Sequence, residues 1–148
     1  MYLYTLLAAL LAMVLIFVAP LRAKVWVATS LISAAAVGAI YLVVRTLLLG
    51  DVLLATFSTD MFGAERLSVD PVSALFLAII SITSVATVLY SKGYVEGYLK
   101  RFSPTHISLH YTALVLLVVS MMLVVVSSGG FSFLFSWELM TIASFILI

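Results

Sequence analysis

The sequence predicts an all-α fold: a polytopic transmembrane helix bundle of about five spanning helices, with the N-terminus outside. Three observations carry that expectation. Of the 148 residues, 66% are hydrophobic and only 9% are charged, more apolar side chain than a soluble domain of this size has interior to hold. The apolar residues form long continuous runs rather than a period-two alternation. This argues against a membrane β-barrel and for helices, the other form that satisfies its own backbone hydrogen bonds in lipid. The basic residues are also unevenly divided among the loops, as orientation in a membrane requires.

Each apolar segment approaches the ~20 residues a spanning helix needs. The first covers approximately residues 1–19. No Lys or Arg precedes its apolar core, while Arg22 and Lys24 follow it, the wrong polarity for a secretory leader, so a retained helix is expected. The second, 25–49, carries small residues at Ser30, Ala34 and Gly38, a stripe suited to close helix contact. The third, 69–90, opens with Asp70-Pro71, an N-cap acid followed by proline at the first helical position. Its polar positions Ser73, Ser81, Ser84 and Thr87 are expected to face other helices. The fourth, 108–127, ends at the turn Ser127-Ser128-Gly129-Gly130, and the fifth is 131–148. Arg22 and Lys24 follow the first segment, and Lys92, Lys100 and Arg101 follow the third. Between the second and third only Arg66 stands among Asp51, Asp60 and Glu65. Positive charge accumulates on the cytoplasmic side, which places the loops after segments one and three inside.

Several function classes are disfavoured. A net charge of +1 without a basic cluster gives no footprint for nucleic acid. With no cysteine, the chain has no disulfide, thiolate-held iron–sulfur cluster or cysteine nucleophile. His106 and His110 stand four apart, a formal metal pair, but no third ligand lies nearby and His106 follows a loop proline. Neither a phosphate loop, a nucleophile triad nor a dinucleotide fingerprint is present. No cofactor and no catalytic redox centre is therefore expected in this chain, and any redox chemistry belongs to another subunit.

Glu138 is the exception to the apolar pattern. It is the only ionisable residue between Phe131 and Ile148, in the run FLFSWELMTIASFILI. A carboxylate at the centre of a spanning helix costs about 2.5–3.5 kcal/mol even on the lenient insertion scale, so such a group is normally retained for transport, proton relay or pairing. It lies roughly 10–12 Å into the membrane at ~1.5 Å per residue. Leu134, Phe135, Thr141, Ile142 and Phe145 share its helical face, and Thr141 stands where it could hydrogen-bond the carboxyl. Ser132, Ser136 and Ala143 lie on a different side, where another helix can pack, so Glu138 is expected inside a bundle rather than against lipid. Burial raises a glutamate's pKa and a nearby ammonium lowers it. Lys24, Lys92 and Lys100 are all expected at the cytoplasmic edge, so a balancing cation must come from other polypeptide. The alternative is a neutral, hydrogen-bonded structural Glu138.

Other candidates carry two readings each. Arg45 either snorkels to the interface, towards Asp51, or belongs to an ion path. Asp70 is a helix cap or a proton-uptake acid. His110, at the opening of the fourth helix, is an interfacial anchor or a group that titrates near neutral pH. Trp137 excludes water from Glu138 or simply packs.

The segment LSVDPVSALFLAIISITSVATVLYSKGYVEGY, a helix ending VVSSG and the run FLFSWELMTIASFILI together resemble the antiporter-like membrane subunits. That superfamily comprises the proton-pumping subunits of respiratory complex I, the large subunits of multi-subunit Na+/H+ antiporters and membrane subunits of group 4 nickel–iron hydrogenases. The wording VDPVSALFL with WELM is most similar to hydrogenase-4 component B and the formate hydrogenlyase membrane subunit. The resemblance covers residues 67–148, while 1–66 match in helix count and topology alone. It implies that the acid at Glu138 pairs with a lysine on a later helix, within a chain of protonatable groups along the membrane. It also implies proton or sodium translocation in a hydrogenase or NADH–quinone oxidoreductase complex of a prokaryotic cytoplasmic membrane, with other membrane and peripheral subunits as partners. A stand-alone Na+/H+ antiporter subunit and an inert membrane anchor are the alternatives. Members of the family have about fourteen or more helices, so the 148 residues are expected to be the N-terminal part of a longer subunit.

Overall fold

The computed structural model describes residues 21–59, 63–98 and 104–148. Among these, four helices and one hairpin follow in order: α1 (Leu21–Leu49), β1 (Val52–Thr59), β2 (Gly63–Val69), α2 (Pro71–Tyr98), α3 (Pro104–Val126) and α4 (Gly130–Leu147). All four helices are long and apolar enough to cross a membrane, and the chain is an integral membrane helical bundle. The first expected span, 1–19, lies outside the described residues, so four of the five expected spans are accounted for.

α1 starts at Leu21, so Lys24 is helical rather than in a loop as expected. It is buried, and its ammonium donates to the hydroxyl of Ser108 on α3. At the other end Gly50 takes φ 86° and its N–H donates to the Thr46 carbonyl at 2.9 Å, the left-handed glycine stop that side chains with a Cβ adopt poorly. The buried face of α1 runs through Ala28, Ile32, Ala36, Ala39 and Val43. The stripe Ser30–Ala34–Gly38 points outward instead, and a Cβ at Gly38 would meet nothing within 4 Å. Ala28, Ala36 and Ala39 supply the close approach, because their side of the helix also carries Ile32 and Val43, whose burial is worth more.

α2 is capped as its opening residues require: Ser73 N–H donates to Asp70 Oδ1 at 2.6 Å and Ala74 N–H to the Asp70 carbonyl at 2.8 Å. Ser73 Oγ reaches across to the Val125 carbonyl of α3 at 2.9 Å, and Ser81 and Ser84 are buried. Thr87 is exposed and returns its hydroxyl to the Thr83 carbonyl, contrary to the inward facing expected of it. α3 begins at Pro104, earlier than the apolar run, because proline fits the first helical position.

α1 packs along α2, α3 packs along α4, and α1 and α2 both also touch α3; α4 meets only α3 and β2 among the described elements. One core cluster gathers Ala28, Ile32, Val88, Tyr111 and Leu114. A second, at the hairpin end, gathers Ala39, Val43, Val52, Val69, Leu77 and Val126.

The stretch expected as a plain loop between the second and third segments is an antiparallel hairpin, Val52 pairing with Val69 and Thr59 with Gly63. A register irregularity between Leu53 and Ala55 interrupts it. It is not free-standing: Ser128 N–H donates to the Arg66 carbonyl at 2.9 Å, Leu67 bridges Ser127, and the Ser68 and Ser128 hydroxyls lie 2.7 Å apart. A single bridge, one backbone bond and a hydroxyl pair thus tie the α3–α4 turn to β2.

Candidate functional site

α4 begins without a side-chain cap of its own. Gly129 holds the N-cap position with φ −102° and ψ 152° and makes no side-chain bond to the first turn. The unpaired amides at the start of a helix must find acceptors, and here Glu65 of β2 supplies them. Phe131 N–H donates to Glu65 Oε1 at 3.2 Å, while Ser132 N–H and Ser132 Oγ donate to Oε2 at 3.1 and 2.6 Å. Glu65 is only 3% exposed, closed off by these immediate neighbours. Gly129 makes the approach possible: a Cβ there would stand 1.8 Å from Glu65 Oε2.

The Ser132 hydroxyl bond is the main influence holding the Glu65 carboxyl below its ordinary value of 4.5. Desolvation opposes it, and the amides of Ser132 and Phe131 add to it. A carboxyl group whose folded value is depressed stabilises the fold above its unfolded value, and that contribution disappears as pH falls through the folded value. Acid is therefore expected to release the first turn of α4 only below about 4.5. Hydrogen exchange at the Phe131 and Ser132 amides, corrected for intrinsic rate, reads this directly; lost protection already near neutrality contradicts it.

Glu138 stands two turns further along α4 and is exposed. The buried residues of α4 are Ser132, Ser136 and Ala143, the side expected to receive another helix, and that helix is α3. Glu138 lies on the opposite side with Leu134, Phe135, Ile142 and Phe145, all exposed. Among the described residues the carboxyl thus faces away from the helices that pack together, whereas a place inside a bundle is expected of it. The reason is economy of packing: small residues let α3 approach closely, and only one side of α4 is so lined. Among the described residues no hydrogen bond or ion pair reaches Glu138. Only 17% of the α4 span is buried, against 39% of α3, so of the four described spans α4 is the one most in need of a further neighbour.

The supporting candidates do not converge on the carboxyl. Thr141 Oγ1 donates to the Trp137 carbonyl at 3.1 Å rather than to Glu138. Trp137 is half exposed and tilts against Phe133, ring centres 6.0 Å apart. Asp70 caps α2, and the Ser73 amide is the first of the hydrogen bonds that lower its carboxyl below the usual value. Arg45 and Asp51 are both exposed, and no ion pair joins them. His110 is half-buried in the second turn of α3, since that helix starts at Pro104 rather than near His110. It therefore sits at the end of the bundle opposite the hairpin. Glu65 and Lys24 both carry tertiary contacts that their place in the sequence does not announce. For Glu65 the available signal is a helix start, Gly129-Gly130, without a capping side chain, in a chain whose outer loop has an acid to spare.

No known family model matches the chain, and comparison with curated proteins likewise gives no match. What fold and site define together is an integral membrane helical bundle whose least-buried described span, α4, carries a carboxylate on its exposed face.

Proposed function

We propose that the chain is the N-terminal part of an antiporter-like membrane subunit that translocates protons, or sodium ions, within a membrane-bound oxidoreductase complex of the hydrogenase-4 or NADH–quinone oxidoreductase type. Glu138 is its proton acceptor and donor. The observation that supports this reading is the position of Glu138, the only ionisable group of α4, midway along a membrane-length helix on an apolar face that is exposed among the described residues. A carboxylate in hydrocarbon is expensive unless it is paired or hydrogen-bonded, so the face calls for another helix bearing a base. A base there lowers the carboxyl's pKa while burial raises it, and the balance makes both gain and loss of a proton accessible. The membrane is a prokaryotic cytoplasmic one in this reading, and the partners are the complex's other membrane and peripheral subunits.

Glu138→Gln in the assembled complex is the test. It keeps size and hydrogen-bonding capacity and removes the exchangeable proton. Proton uptake into sealed vesicles, driven by the complex's redox reaction, is expected to fall by about two orders of magnitude, the usual worth of a positioned acid–base group. Undiminished uptake would remove the mechanism and favour a membrane anchor.

A further inference from the structure

We infer that Glu65 is the positioning residue of the Glu138 helix: through its carboxylate, the hairpin fixes the axial height and rotation of α4, and with them the depth and facing of Glu138. This rests on the reading of Glu138 as the exchanging group.

The fully buried side chains of α4 at its contact with α3 are the small ones Ser132, Ser136 and Ala143, which permit close approach, and the bulky Leu147 packs on the core only at the far end of the helix. The hydroxyls of Thr141 and Ser144 return to carbonyls of α4 itself. Glu65 differs from both. It takes three directional bonds from two successive residues of the first turn: a slide or rotation short of a full residue misaligns all three, and a full one-residue step, about 1.5 Å along the axis and 100° around it, forfeits the Ser132 hydroxyl bond, the one bond that depends on the side chain. β2 in turn is bonded to the α3–α4 turn through Arg66, Leu67 and Ser68, so hairpin, turn and helix start form one joint. From Ser132 to Glu138 the helix rises only about 9 Å, and a helix transmits its end position rigidly over that length. The groups facing Glu65 are the Phe131 and Ser132 amides and the Ser132 hydroxyl; its strand neighbour Arg66 is exposed. Gly129 is the second half of the device, because any Cβ there expels the carboxylate.

The test compares Glu65→Ala, Gly129→Ala and their combination in the complete complex, with two readouts: hydrogen exchange along α4, and the pH dependence of redox-driven proton uptake. Each single variant is expected to speed exchange in the first turn of α4 about tenfold or more and to displace the pH of half-maximal uptake. The double variant is expected to be no worse than Glu65→Ala, since the new Cβ then meets no carboxylate, whereas unrelated defects accumulate. Glu65→Gln, which retains oxygen acceptance on one side, is expected to restore part of the protection. Unchanged exchange in Glu65→Ala, additive effects of the two singles, or faster exchange with an undisplaced pH profile each overturn the inference. Failure of the Glu138 reading itself shows separately, as undiminished uptake in Glu138→Gln.

Discussion

Glu138→Leu will insert α4 into a bilayer more readily than the natural sequence while abolishing the activity proposed for it. Glu138 is the ninth of the 18 residues of α4, at the depth where an acidic side chain costs most. On insertion scales an acid at the centre costs about 2.5–3.5 kcal/mol and leucine returns about 0.3–0.6, a difference of about 3 kcal/mol, or roughly two orders of magnitude in the inserted ratio. The exchange touches little inside the chain, because the Glu138 face is exposed and α3 packs against the other side. A glycosylation-tagged insertion assay of the full chain measures the first effect, and redox-driven proton uptake by the complex measures the second. Opposite signs are the diagnostic result: a residue kept for structure loses stability when it is replaced, whereas one kept for chemistry gains it. Leucine that inserts no better than glutamate means that the carboxyl already has polar company during insertion, and the argument from its isolation fails.

The helices and the backbone of this site could be read from the residues because each signal is local. The spacing of Ser132, Ser136 and Ala143 marks one side of α4, and that side is buried; Asp70-Pro71 marks the start of α2, and Asp70 caps it. What stayed hidden depends on contacts far apart in sequence. β1 reads Val-Leu-Leu-Ala-Thr-Phe-Ser-Thr, and the irregularity between Leu53 and Ala55 resets its period, so no alternation survives to announce a strand. Glu65 looks like one more acid of an outer loop, because its partners Phe131 and Ser132 lie 66 and 67 residues away. The facing of Glu138 among the described helices is hidden for a related reason. Helical periodicity says which residues share a side with it, and these are as expected, but not which side another helix chooses. The small residues decide that, and they draw α3 to the opposite side.

Lys24 carries the second large expectation, an asymmetric one. It lies 84 residues from Ser108 in sequence, and hydropathy alone assigns it to a loop, yet it is only 5% exposed and bonded to the Ser108 hydroxyl between α1 and α3. Among the described residues no carboxylate pairs with it. A buried ammonium satisfied by a hydroxyl is expensive to keep and more expensive to strip. Ser108→Ala is therefore expected to lower stability by about 2 kcal/mol, the range for hydrogen bonds to charged groups. Lys24→Met keeps most of the volume, removes the desolvated charge, and is expected to be near neutral or stabilising. In the combined variant the part of the Ser108→Ala penalty that comes from the stripped ammonium should vanish; that coupling is what a double-mutant cycle isolates. Unfolding in mixed micelles, followed by the far-ultraviolet helix signal, gives the three differences. A neutral Ser108→Ala beside a costly Lys24→Met would mean that the ammonium answers to an acid elsewhere in the assembled subunit. The α1–α3 contact would then be a charge site rather than a packing one.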